Sequence, residues 1–318
     1  MNLEELKTKL NFIVDDEIQK NITVYVTSPA GLQLFNLVEN DLNELMPVYV
    51  DLLKSLVLEK EDLCVGDYST SSARENMIYF YDLGTESRPD EMKNMAIAGT
   101  DLNPSHFTVS SESLESINGF YVVINSLEQR AVFYKQILPV DKTYCRKSLF
   151  FGIHPDNSMF ERKRDSLLRV TPGIQMLYVD DDIILIDMSK LEKTIGLDAI
   201  LQKEAEAMYQ HVENKNIIVD TTKLKEACGT SSMLKKLRHA LTESKAKDLN
   251  NETIIQFAEA QDKLKFKFNA SKTMFNLDSK AAAQRFIKLL DDDYLFSNLT
   301  LTNYDSELKG VLQEVAGE

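Results

Sequence analysis

Three aspartates in a row, Asp180-Asp181-Asp182, with Asp187 close behind, come nearest in type and spacing to a reaction centre. Hard divalent cations prefer carboxylate oxygens, so such a group can hold a metal and through it activate water against a phosphodiester. The commoner meaning of an acidic triplet between two apolar runs is a solvated turn. Asp90-Glu91-Met92-Lys93 has the acid-x-Lys spacing of some metal-dependent nucleases, but it opens a helix, and so short a pattern recurs by chance. His106, His154, His211 and His239 have no Ser, Cys or Asp at a spacing that marks a triad. Neither Gly-x-x-x-x-Gly-Lys-Ser/Thr nor Gly-x-Gly-x-x-Gly occurs, and only 11 of 318 residues are Gly, which argues against an enzyme built on nucleotide binding. Cys64, Cys145 and Cys228 are scattered and odd in number, without a Cys-x-x-Cys pair. That speaks for a reducing cytoplasm and against a disulfide framework or a structural zinc.

The basic residues carry more information. Lys142, Arg146 and Lys147 surround Tyr144; Arg162, Lys163 and Arg164 follow Phe160 and precede Arg169. Lys235, Lys236, Arg238 and His239 lie within about one helical turn, with Lys245 and Lys247 beyond. Met233, Leu234, Leu237 and Leu241 form the apolar stripe of that helix, so the spacing predicts a cationic face beside it. Cations without base-reading motifs suit the phosphate backbone, which supplies affinity and not sequence choice. Each cluster also fits an ordinary solvated surface, and each neighbouring aromatic fits a core.

Net charge is −14, unevenly spread. Residues 1–120 hold 8 basic and 21 acidic side chains; residues 130–170 hold 9 against 4, and residues 221–247 hold 7 against 2. An acidic protein binds nucleic acid when its positive charge is gathered on one face, because the field acts within about 8 Å at physiological salt.

The elements that position these groups follow from periodicity. Leu3, Leu6, Leu10 and Ile13 predict a helix over 2–14. Strands are expected at 22–27, 32–38, 76–82, 120–125, 131–137 and 149–153, with a brief one at 108–110. A helix capped by Asp41 runs to about Lys60, with Pro47 early in it, and another covers 88–98. Thr171-Pro172-Gly173 turns the chain into 174–179, Asp180–Asp182 turns it again, and 183–186 follows. Both runs are apolar on both faces, as in the middle of a sheet. Ser189 with Glu192 fits a capping box, and Gly196 a helix stop.

Beyond that point helices dominate, at 197–212, 224–228, 231–244, 252–262 and 281–290. Thr221 and Thr222 fit the start of the second, and Asp291–Asp293 the end of the last. Leu264–Phe268 reads as a half-buried strand. The class is therefore α+β: a strand-rich N-terminal half with a mixed or antiparallel sheet, and a helix-rich C-terminal half. Two subdomains are expected, 1–190 and 191–318. The composition, 43% hydrophobic, is that of a globular chain. No apolar run reaches the ~20 residues of a membrane span, and Met1–Lys7 does not read as a secretory signal.

Ile183-Ile184-Leu185-Ile186-Asp187 followed by a short helix, the helix-rich stretch after it, and the closing run from Phe286 to Thr300 resemble the B component of the bacterial Kiwa anti-phage defence system. The likeness covers roughly residues 115 to 305 and brings no catalytic signature. It implies a cytoplasmic effector that works with a membrane-embedded A component, is recruited by it to the inner membrane, and binds phage DNA to block its use. The expectation is then a non-enzymatic DNA-binding protein, a homodimer or higher homo-oligomer, needing no cofactor or metal. Its contacts are Lys142, Arg146, Lys147, Arg162, Lys163, Arg164, Lys235, Lys236 and Arg238. The rivals are a nuclease using Asp180, Asp182 and Asp187, and a scaffold whose acidic N-terminal region meets a partner's basic loops.

Overall fold

The structure is a computed structural model and describes residues 2–100, 104–108, 113–143, 150–153, 160–163, 167–261, 264–297 and 302–305. The chain forms two compact units. Residues 1–66 and 73–196 make the first; residues 67–72 and 197–318 make the second.

The first unit opens on α1 (Leu3–Val14), held by a capping box in which Asn2 and Glu5 each bind the other's backbone N–H. β1 (Asn21–Ser28) and β2 (Gly31–Leu34) form a hairpin. α2 (Glu39–Leu53) starts two residues before the expected cap, with Val38 at the cap position and Asp41 inside the first turn, where the helix dipole favours acids. Pro47 lies within α2, and a π turn, Lys54–Leu58, extends it. β3 (Cys64–Asp67), β4 (Met77–Phe80), α3 (Asp90–Ala98), a one-turn α4 (Ser113–Ser116), β5 (Gly119–Asn125) and β6 (Arg130–Gln136) follow. Next come four short strands, β7 (Lys142–Thr143), β8 (Phe150–Ile153), β9 (Phe160–Lys163) and β10 (Leu167–Leu168). β11 (Met176–Val179), β12 (Asp182–Leu185) and α5 (Met188–Thr194) complete the unit. The cap of α5 is Asp187, not Ser189. Thr108 lies outside any strand, and residues 109–110 lie outside the described residues.

Eight strands form one sheet in the order β2-β1-β5-β6-β11-β12-β4-β3, antiparallel at each pairing from β2 to β4. Its register aligns two rows of side chains. Val24, Val122, Phe133, Leu177, Ile184 and Phe80 sit opposite one another across six strands and pack with Leu6, Leu10, Tyr49 and Leu53 of α1 and α2. One residue over, Tyr25, Tyr121, Tyr134, Met176, Leu185 and Tyr79 line the opposite face. α3 covers part of that face with Met92 and Met95, and Gly99 at its end approaches so closely that a Cβ there would lie 2.7 Å from the Tyr178 ring. The central strands are buried on both faces because helices lie on both, which explains their unbroken apolar runs.

The second unit holds α6 (Leu197–Asn214), α7 (Thr222–Ala227), α8 (Ser231–Thr242), α9 (Asn251–Ala260), α10 (Lys280–Leu290) and a hairpin of β13 (Tyr294–Ser297) and β14 (Thr302–Asp305). Thr221 donates to Glu213 instead of capping α7. Phe275 packs among Phe266, Phe268 and Phe286, with ring centroids 5.1 to 5.2 Å apart. Leu264–Phe268 keeps the expected alternation, with Lys265 and Lys267 exposed, but is not a strand. Lys265 takes φ +51°, which breaks the ladder and leaves one bridge, Phe268 to Phe275. Asp292 at φ +59° ends α10, and the Asp293 N–H returns to the Lys288 carbonyl at 2.9 Å.

Candidate nucleic-acid interface

The acidic triplet makes the turn between β11 and β12. Asp180 and Asp181 both take left-handed backbone, φ 49° and 68°, the conformation of a two-residue hairpin loop. Lys9 of α1 lies 3.3 Å from Asp180 and 3.4 Å from Asp182. Arg88 donates to the Asp181 carbonyl at 2.7 Å. The Tyr178 hydroxyl donates to the Asp181 carboxylate at 2.6 Å. Burial first, then that carboxylate, pushes the Tyr178 phenol up to about 12. Asp187 sits past the other end of β12, more than about 10 Å away at the rise of a strand. There its carboxylate caps α5 and pairs with Lys190 at 2.6 Å. Among the described residues no group of three metal-ligating side chains gathers. These acids shape a turn and a cap.

The six cations expected between residues 142 and 164 fall on one excursion of the chain. β7 pairs with β10, setting Lys142 opposite Leu168 and Thr143 opposite Leu167. Between those paired strands runs a second hairpin, β8 with β9, which sets Arg162 opposite Phe151 and Lys163 opposite Phe150. Arg146, Lys147 and Arg164 flank that hairpin in sequence and lie outside the described residues. At the base, Lys142 is half-buried and donates to the Glu115 carbonyl at 2.7 Å. Burial lowers its pKa, with the Glu115 charge opposing. Lys135 donates to the Thr171 carbonyl, and burial lowers its pKa too. Arg169 is exposed; its backbone N–H binds the Asp141 carbonyl at 2.8 Å.

The helix α8 does not present the cationic face its sequence predicts. Lys235 is 1% exposed, and its ammonium lies 3.9 Å from the centre of the Tyr68 ring, a cation–π contact. Lys236 pairs with Asp293 at 2.5 Å and with Asp291 at 3.8 Å. Arg238 meets Glu204 of α6 at 2.5 Å. His239 contacts Asp291. The buried side of α8 is Leu234, Lys235, Leu237 and Ala240, while Met233 and Leu241 are only partly covered. Lys235 and Lys236 thus meet an aromatic ring and buried carboxylates within their own unit. The sequence signal for this was the acidic run Asp291–Asp293, which reads equally well as a helix stop. Asp41, Glu44 and Asp51 lie exposed along α2, and in an acidic chain no local pattern singles them out.

The profile of the Kiwa protein KwaB-like family matches residues 114–300, more than half of the chain. The Kiwa protein KwaB of Escherichia coli O55:H7 (strain RM12579 / EPEC) is 21% identical over 321 residues, covering 99% of this chain and 100% of that one. No solved structure matches. The matched span runs from α4 through the central strands and all the helices of the second unit to the end of β13. The chain therefore belongs to the Kiwa protein KwaB-like family.

Proposed function

We propose that this protein is a cytoplasmic effector of anti-phage defence that binds phage DNA through the basic excursion between β7 and β10. Membership of the KwaB-like family supports the defence role and a partner within the Kiwa system. That partner is the membrane-embedded A component, which brings the effector to the inner membrane. Among the described residues no helix is long and apolar enough to cross a membrane, which agrees with recruitment by a partner. The observation that carries the DNA reading is topological: two nested strand pairings collect Lys142, Arg162 and Lys163 onto one excursion, with Arg146, Lys147 and Arg164 in the connecting sequence. Residues 142–169 hold seven Lys or Arg against three acids. Lys235, Lys236 and Arg238 are assigned here to the stability of the second unit. The active species is a homodimer or higher homo-oligomer, which doubles the phosphate contacts.

The test is fluorescence anisotropy with a labelled duplex at moderate salt. Replacing Arg146, Lys147, Arg162, Lys163 and Arg164 together by Glu abolishes binding on this reading. Unchanged affinity in that variant rejects it and leaves the scaffold reading, in which the acidic first unit docks a partner and DNA plays no part.

A further inference from the structure

Beside α2 the first unit carries a half-open cavity of about 310 Å³. That is the lower end of the range for sites that take a ligand or an anchoring side chain. Its walls are apolar, Phe35, Leu45, Phe120, Leu168 and Val170 among them, and its polar lining residues are Asp41 and Tyr49. Tyr49 is 1% exposed and its ring packs 5.6 Å from Phe133, yet its hydroxyl makes no hydrogen bond among the described residues. That hydroxyl is not fully covered, and among the groups lining the cavity it is open to an incoming donor or acceptor.

Helical spacing ties this cavity to a charged edge. Asp41, Leu45 and Tyr49, four residues apart, form the row of α2 that lines it. The adjoining row, Asp41, Glu44, Val48 and Asp51, is exposed, Val48 at 37%. α2 contains no Lys or Arg, and none of these three carboxylates makes an ion pair among the described residues. Unpaired acids along one edge, with an apolar side chain between them and an apolar cavity beside them, complement a cationic ligand with an apolar anchor. From Asp41 to Asp51 the edge runs about 15 Å, more than a small amine spans.

We propose that this edge and cavity dock a basic polypeptide segment of another protein. One large apolar side chain fills the cavity, and Lys or Arg on either side of it meet Asp41, Glu44 and Asp51. The site goes beyond DNA binding and does not depend on it.

The test uses the full-length protein without DNA and a fluorescent probe peptide, Lys-Lys-Gly-Phe-Gly-Lys-Lys, followed by anisotropy. Changing Asp41, Glu44 and Asp51 together to Lys should weaken binding about tenfold or more, since three exposed attractions are lost together and the change adds repulsion. The same peptide with Ala for Phe, and the cavity-filling variant Leu45→Trp, should also bind more weakly. Circular dichroism and duplex binding of both variants show whether the fold and the DNA site persist, so the two readings fail separately. Full binding by the triple variant, or equal binding of the Ala peptide, overturns the proposal. So does phenethylamine displacing the peptide completely, which would assign the cavity to a small cation. Self-association of the protein that disappears in the triple variant, without peptide binding, would assign the edge to a second copy and overturns it as well.

Discussion

Lys236 and Asp293 show how far a residue's surroundings can redirect its apparent role. Asp293 is 1% exposed, and Lys236 is its close partner at 2.5 Å. Taking away one member of a buried pair weakens the support of the other charge, by up to about 3 kcal/mol where other partners remain. Lys236→Met should therefore lower the unfolding free energy of the second unit by up to that amount, read from the shift of its denaturation midpoint, and Asp293→Asn in the same chain should recover much of it. A midpoint within error of wild type for the single variant would remove this pair from the account. The exposed pair Lys225–Glu206, at 3.0 Å, provides the contrast: Lys225→Met should shift stability by less than about 1 kcal/mol. Periodicity placed Lys235, Lys236 and Arg238 on a helix correctly and identified Leu234 and Leu237 as buried. It had no access to which other segments close over α8, so it took every position off the stripe as solvent-facing. Tyr68 and Glu204 come from distant parts of the sequence, and no local pattern announces either.

At the scale of elements, the β11–β12 hairpin was legible because its signal is local: two apolar runs, one acidic turn and no Gly or Pro within the strands. Its exact geometry was not. Two successive non-Gly residues with positive φ are uncommon, and the hairpin holds them through Lys9, Arg88 and Tyr178. A β-branched side chain resists that backbone, so Asp180→Val should cost about 1–2 kcal/mol while Asp180→Gly stays close to neutral. Chemical denaturation of the two variants decides this, and equal cost for both would place the effect in the lost Lys9 contact instead. The same hairpin has a pH signature. The Tyr178 phenol is raised from 10.0 to about 12 in the fold, so the folded state keeps a proton the unfolded chain has released. Its contribution is whole below about pH 10 and is lost as pH rises from there through about 12. Tyr178→Phe should flatten that alkaline decline. Elements set by alternation alone fared differently: Leu264–Phe268 has the strand's in-and-out pattern, but the left-handed backbone at Lys265 ends any ladder, and no pattern of side chains foretells it.

For the molecule as a whole, charge and topology point in different directions, and their competition can be measured. The chain carries −14, yet residues 130–170 hold 9 basic against 4 acidic side chains. At physiological salt a charge acts over about 8 Å, so the cations of 142–164 answer to the phosphates they touch, but as salt falls the screening length grows and the repulsion of the chain's net negative charge reaches the duplex. A protein that neutralises Z phosphates loses log affinity against log salt with slope about −0.9Z, so the six cations between Lys142 and Arg164 set a limit near −5 per chain. Each Lys or Arg→Ala within 142–164 should make the slope shallower by about 1. The α8 changes should leave it untouched wherever the protein remains folded. Folding can be read independently through Cys228, which is fully buried with its thiol pushed up to about 12 by burial, while Cys64 is exposed. In a chain with Ser at 64 and 145, slow alkylation of Cys228 at neutral pH reports an intact second unit, and the same sample then gives a DNA isotherm. A slope unaffected by every change in 142–164, in protein whose circular dichroism matches wild type and whose Cys228 stays protected, would separate the defence role from the basic excursion and assign the phosphate contacts to another surface.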